Sequence, residues 1–149
     1  MKNLTRAEAR ERAALLRVTS YDIALDLTVG DETFGSVTTI AFTSRPGESF
    51  VELQVEALSV ILDGRELELP TTERLALTGL GGEHVLTVTA RGTYSRTGEG
   101  LHRHVDPADG QTYLYAQSFL NDAQRIFACF DQPDLKASFR LGVTAPVGW

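Results

Sequence analysis

Tyr21-Asp-Ile-Ala-Leu-Asp-Leu-Thr-Val29 decides the fold class. Tyr21, Ile23, Leu25, Leu27 and Val29 fall on every second position, and Asp22, Ala24, Asp26 and Thr28 fill the gaps. Successive side chains of an extended chain point to opposite faces. This spacing therefore predicts a half-buried antiparallel strand, apolar on one side and polar on the other. Working outward, Gly30-Asp-Glu turns the chain, and Thr33 to Thr43 reads as a second strand, dense in Thr, Val, Ile and Phe. Arg45-Pro-Gly-Glu48 reads as a turn before a third strand, Phe50 to Val55.

Val60-Ile-Leu-Asp-Gly-Arg-Glu-Leu-Glu-Leu69 is the clearest local signal. Asp63-Gly64 sits between two alternating arms, and both residues tolerate the positive φ that a two-residue hairpin turn demands. Arg74 to Leu77 and His84 to Tyr94 are further strands, with Gly79-Leu-Gly-Gly82 expected as the hairpin loop between them. Thr112 to Phe119 and Ser138 to Thr144 complete the series. About nine strands at regular spacing predict a mostly β protein, an antiparallel β-sandwich or saddle. Before them, Thr5-Arg-Ala-Glu8 has the form of a capping box, and Ala7 to Leu16 is rich in strong helix formers. One short N-terminal helix is expected there, as a strap packed on the domain. Ser95 to Gln111 reads as the longest irregular stretch.

A chain of 149 residues suits one domain, and 42% hydrophobic with 23% charged residues is ordinary for a globular protein. The net charge of −6, with no basic stripe, argues against nucleic acid and against an anionic membrane surface. No stretch has the apolar length of a membrane span, and Met1 to Arg10 has no apolar core of a secretory leader. Cys129 is the single cysteine. These features together predict a reducing, cytoplasmic setting.

Chemistry-bearing residues are few. His102-Arg-His104 with Asp106 places metal-capable groups at alternate positions of an extended segment, but no further ligand is fixed by spacing, and two surface histidines are the plainer reading. Cys129 lies among Phe127, Ala128 and Phe130, surroundings that suit an inert buried thiol rather than a nucleophile. Asp131-Gln-Pro-Asp-Leu-Lys136 is a turn that flanking phenylalanines can pin to the core. Tyr113, Tyr115, Gln117 and Phe119 share a face of their expected strand, giving aromatic walls with one amide that could orient a ligand or simply pack on another element.

Thr97-Gly-Glu-Gly-Leu-His-Arg103, Tyr113-Leu-Tyr115 and Phe127-Ala-Cys-Phe-Asp-Gln-Pro-Asp-Leu-Lys-Ala137, taken together, resemble the N-terminal domain of the aminopeptidase N family of zinc metallopeptidases, in its actinobacterial form. The preceding strands also fit that family's β-saddle, so the resemblance covers the whole chain. It implies an incomplete N-terminal saddle domain of an enzyme that removes N-terminal residues from peptides. Its partner would be the catalytic domain, and peptides would be the substrates of the whole. The family's zinc site, H-E-x-x-H with a distant Glu, and its G-A-M-E-N segment belong to the following domain, and neither string occurs here. The resemblance therefore implies no catalytic residue, no metal ligand and no cofactor in this chain, with zinc in the longer enzyme.

In the family, the motif aligned with Gln117-Ser-Phe119 reads Gln-x-Glu. Its Gln lines the pocket for the first side chain and its Glu binds the free α-amine. Gln117 matches, and Phe119 puts an apolar ring at the amine anchor. Asp122, in the stretch aligned with the family's Asp-Ala-Arg-Arg, reads as structural. Other readings are a stand-alone β-sandwich interaction module and, third, a metal-binding module on His102 and His104. Open strand edges and the Tyr113, Tyr115 and Phe119 face further predict that the chain associates with itself.

Overall fold

A computed structural model describes residues 3–119 and 121–149. The expected capping box forms. Glu8 N–H donates to Thr5 Oγ1 at 3.2 Å, and Thr5 N–H donates to Glu8 Oε2 at 2.8 Å, opening helix α1 (Arg6–Leu15). The strands are β1 (Leu16–Asp26), β2 (Thr33–Glu52), β3 (Glu56–Leu62), β4 (Arg65–Glu66), β5 (Arg74–Thr93), β6 (Gly100–Val105), β7 (Thr112–Gln117) and β8 (Ser138–Thr144). The fold is mostly β with one short helix, as the alternation indicates. Six strands form one sheet in the order β4-β3-β5-β2-β1-β8, and β6 and β7 form a separate hairpin. One pairing departs from the antiparallel rule: β8 lies parallel to β1.

β1 begins earlier than its alternation suggests, directly at the helix end. A bulge between Val18 and Ser20 explains why. Leu16 and Val18 are buried before it, and Tyr21, Ile23 and Leu25 after it, so the inward parity flips. The strand also ends early. The Asp26 carboxylate accepts from Thr28 N–H at 2.9 Å and Thr28 Oγ1 at 2.6 Å, turning the chain and leaving Val29 exposed.

Two expected turns are not turns. Arg45-Pro-Gly-Glu48 lies inside β2, and Gly79-Leu-Gly-Gly82 lies inside β5. The two segments face each other, with Ser44 opposite Gly82 and Gly47 opposite Leu80, and the register slips on either side of Gly47. Breakers on neighbouring strands thus bend both together without ending either. Pro46, which lacks a ladder donor, is tolerated at such an irregularity. Gly47 is further fixed by the helix: a Cβ there would lie 2.8 Å from Leu15 Cδ1.

Asp63 and Gly64 adopt φ of 52° and 79° and turn β3 into β4, as expected, although the second arm is only two residues long. Within the stretch expected to be irregular, Gly100 to Val105 is a strand paired with β7. The core lies on the inner face of the six-stranded sheet, with Phe34, Ile40, Phe42, Val60, Leu77 and Leu86 sealed from solvent. The segment from Ile126 to Phe130 covers part of that face.

Candidate functional site

Glu52, at the end of β2, ties the helix, the sheet and the covering segment together. Its backbone exchanges hydrogen bonds with Cys129, at 2.9 Å and 3.0 Å. Its carboxylate is held by both terminal nitrogens of Arg12, at 2.6 Å and 3.0 Å, and Oε2 also accepts from Asp131 N–H at 3.2 Å. Arg12 and Glu52 are both buried. The Phe50 ring lies 4.3 Å from the Arg12 guanidinium carbon and 4.0 Å from that of Arg74, which pairs with Glu8 at 2.7 Å. Two paired cations on one ring fasten α1 to the sheet. Gln132 Nε2 donates to Ala9 O at 2.9 Å, joining the helix directly to the Asp131-Gln-Pro-Asp turn.

Beside that turn is a groove of about 580 Å³, lined chiefly by Phe119, Phe127, Cys129, Phe130, Lys136 and Phe139. The Tyr21 and Phe139 rings stack at its edge, 4.6 Å apart. The Tyr21 hydroxyl accepts from Phe130 N–H at 3.1 Å, and burial raises its pKa. Burial likewise pushes the Cys129 thiol well above its ordinary value, so the cysteine is a packing residue rather than a nucleophile. Burial raises the Asp131 carboxyl and the charge of Glu52 adds to it, against a 3.3 Å hydrogen bond from Gln124.

Gln117 closes β7 opposite Gly100 and is exposed. Phe119 lies beyond the strand. The chain turns there, with Asp122 N–H donating to Phe119 O at 2.8 Å and Asn121 at φ 70°. Phe119 is 73% exposed and borders the groove, whereas Gln117 is not among the groove's lining residues. The expected single face is therefore interrupted: Tyr113 and Tyr115 continue it and Phe119 leaves it. Tyr113 OH donates to Asp109 Oδ2 at 2.7 Å, and Tyr115 packs on His102, with 4.8 Å between ring centroids. Asp122 has a structural partner, accepting from Arg125 Nε at 3.0 Å.

His102 and His104 do share one face of β6, with ring centroids 6.5 Å apart. His102 Nδ1 accepts from Gly98 N–H at 3.1 Å, and no cluster of three metal-capable side chains occurs among the described residues. Sequence reasoning missed two polar constellations. One is Arg12–Glu52. The other is His84, whose Nδ1 lies 2.7 Å from Asp63 Oδ2 and whose Nε2 accepts from Gly81 N–H at 2.9 Å. That bond places the ring proton on Nδ1, donated to Asp63. Burial opposes ionisation of Asp63, yet the bonds from His84 and Val85 N–H hold its carboxyl below the usual range. Each constellation joins residues far apart in sequence, so no local pattern carried it.

The arrangement is thus a β domain with a buried polar clasp at one end and an exposed aromatic rim beside an apolar groove. No family model matches the chain. It is, however, 51% identical to an aminopeptidase N of Streptomyces lividans, over 99% of this chain and 18% of that protein. It is also 38% identical to a probable M1 family aminopeptidase of Encephalitozoon cuniculi, over 43% of this chain and 7% of that protein. By sequence, the chain belongs with the aminopeptidase N family and spans less than a fifth of the length of these relatives.

Proposed function

We propose that this chain is the N-terminal β domain of a zinc-dependent aminopeptidase, in which it walls the substrate cleft without catalysing the reaction alone. The observation that carries this reading is the 51% identity to an aminopeptidase N along essentially the whole chain. The exposed rim gives it a physical basis. Gln117 offers an amide that can both donate to and accept from a peptide, and Phe119 offers an apolar surface to a side chain.

Phe119 cannot supply the charge-assisted hydrogen bonds that an ammonium needs, so the substrate's amine is held by a group outside this segment. The same holds for zinc. His102 and His104 do not fit a zinc site, because one ring nitrogen is already an acceptor for Gly98 and no third ligand joins them among the described residues. The catalytic machinery therefore belongs to the remainder of the enzyme, which is the partner of this domain. The buried free thiol of Cys129 suits a reducing, cytoplasmic compartment.

The test uses the longest natural polypeptide that contains this segment. It should hydrolyse amino-acid chromogenic amides and lose activity to a chelator. Gln117→Ala should raise KM about tenfold, the cost of roughly one hydrogen bond to substrate, with kcat little changed. Absence of hydrolysis by that polypeptide would contradict the reading. The second reading, a stand-alone interaction module, is favoured by the open apolar edge at β8. It would be supported if that polypeptide proved inactive and bound a protein partner.

A further inference from the structure

β7 carries Gln117 but lies outside the six-stranded sheet, and among the described residues its ladder partner is β6. Whatever fixes β6 on the domain therefore fixes Gln117. The middle of β6 is held by Ser95, which donates its N–H to Leu101 O at 2.8 Å and accepts from Arg103 N–H at 3.0 Å. Leu101 itself is buried in the core. The first residue of β6, Gly100, stands directly opposite Gln117 in the ladder. Its surroundings decide where that end of the hairpin sits.

Gly100 has a φ of 65° and is buried against the short helical turn Ala123–Arg125. A Cβ at residue 100 would lie 2.8 Å from Arg125 Cβ and 3.3 Å from Arg125 Cδ. Arg125 Cβ is bonded to the backbone and cannot swing aside, so strand and turn meet at a distance that only glycine permits. Arg125 also reaches the other flank of the segment. Its Nε donates to Asp122 Oδ1 at 3.0 Å, and Asp122 N–H donates to Phe119 O at 2.8 Å. Both ends of Gln117-Ser-Phe119 thus converge on Arg125, Gln117 through Gly100 and Phe119 through Asp122. We propose that Arg125 and Gly100 are positioning residues, which set where the Gln117 amide meets a peptide substrate.

Neither residue is placed to bind substrate itself. Gly100 has no side chain, and the Arg125 guanidinium is engaged by Asp122. Their action runs through the ladder. A side chain at residue 100 pushes the start of β6 off the turn, and the antiparallel pairing carries that shift to Gln117. A hydrogen bond to substrate tolerates little displacement, so a small movement of the strand weakens it. The inference rests on Gln117 as a substrate contact, and its test separates the two claims.

The test uses the longest natural polypeptide that contains this segment, with amino-acid chromogenic amides as substrates. Gly100→Ala should raise KM about fivefold and leave kcat within about twofold. Arg125→Met keeps the Cβ and the apolar stem but loses the bond to Asp122, and should raise KM about threefold. It serves also where Gly100→Ala fails to fold. In a Gln117→Ala background neither change should raise KM further, because residues acting through Gln117 lose their effect once its amide is gone. Additive losses would show a general structural role and overturn the proposal. So would an unchanged KM in both variants while Gln117→Ala raises it, an outcome that leaves the reading of Gln117 standing. Amide exchange read by mass spectrometry, without substrate, is the second readout. Arg125→Met should speed exchange in residues 112–119 and leave β2 and β5 as they were, and no change in 112–119 would overturn the proposal. Faster exchange there with a Gln117→Ala variant of normal KM would refute Gln117 as a substrate contact, and the substrate role of Arg125 and Gly100 with it.

Discussion

The two edges of the main sheet are built on opposite principles. At β4 the sheet stops in two charged residues beside a tight Asp63-Gly64 turn, and His84 braces that turn through Asp63. At β8 it stops in seven exposed residues, of which Phe139, Leu141 and Val143 are apolar. One edge ends in charged residues at the Asp63-Gly64 turn, and the other presents apolar side chains. The same contrast runs through the covering layer. Arg12, Glu52 and Gln132 close one end of the fold with buried hydrogen bonds, while Tyr113 and Tyr115 are half-exposed on β7 and Phe119 lies bare at the groove.

The largest effect that can break this comparison is in the core. Phe34→Ala should cost about 3–5 kcal/mol in urea unfolding, because a fully buried ring leaves a cavity. Phe139→Ala should cost less than about 1 kcal/mol in dilute solution, since that ring is mostly in water already. Similar losses from the two would mean that β8 is covered after all.

Next comes the clasp. Glu52→Ala strands the Arg12 guanidinium and should cost about 3 kcal/mol, whereas the joint replacement Arg12→Met with Glu52→Leu should recover most of that loss. If the joint variant is no better than Glu52→Ala, the clasp is not one coupled unit.

Smaller still is the helix start. Glu8→Ala removes half of the capping box and the Arg74 pair, and should cost about 1 kcal/mol at neutral pH. Its hydrogen bonds from Arg74 and Thr5 hold the Glu8 carboxyl far below the usual range. The folded form thus keeps its charge where the unfolded form takes up a proton. The Glu8 contribution is complete above the ordinary carboxylate pKa of 4.5 and falls away as pH drops below it. An Ala variant whose deficit is unchanged at strongly acidic pH would contradict the ion pair.

Asp131 has the opposite sign and the smallest effect. Burial raises its pKa, so its charged form weakens the fold once pH rises above 3.8 and through the higher folded value. Asp131→Asn should raise the urea midpoint slightly at neutral pH, and the gain should vanish in acid. A loss at neutral pH would show that Gln124 needs the charge.

Much of the sheet was legible because its signals are local. The Tyr21 to Leu25 alternation, the Asp63-Gly64 turn and the Thr5 to Glu8 box each lie within a few residues, and each formed. Arg45-Pro-Gly-Glu48 and Gly79-Leu-Gly-Gly82 misled because a breaker on one strand reads as a turn until its partner is known to carry another opposite it. β6 was missed because histidines and an arginine obscure its alternation. The family was readable from the motifs between Tyr94 and Ala137, but the position of Phe119 was not, since a turn at Asn121 ends the strand before the alternation reaches it. The Arg12 clasp joins residues 40 apart and leaves no trace in spacing.

Residue-resolved amide exchange along β8 tests the difference between the two edges most directly. The Arg140 and Gly142 amides, which face β1, should be slow, and the outward Phe139, Leu141 and Val143 amides should exchange freely. Outward amides of β8 as slow as its inward ones would contradict an exposed β8 edge.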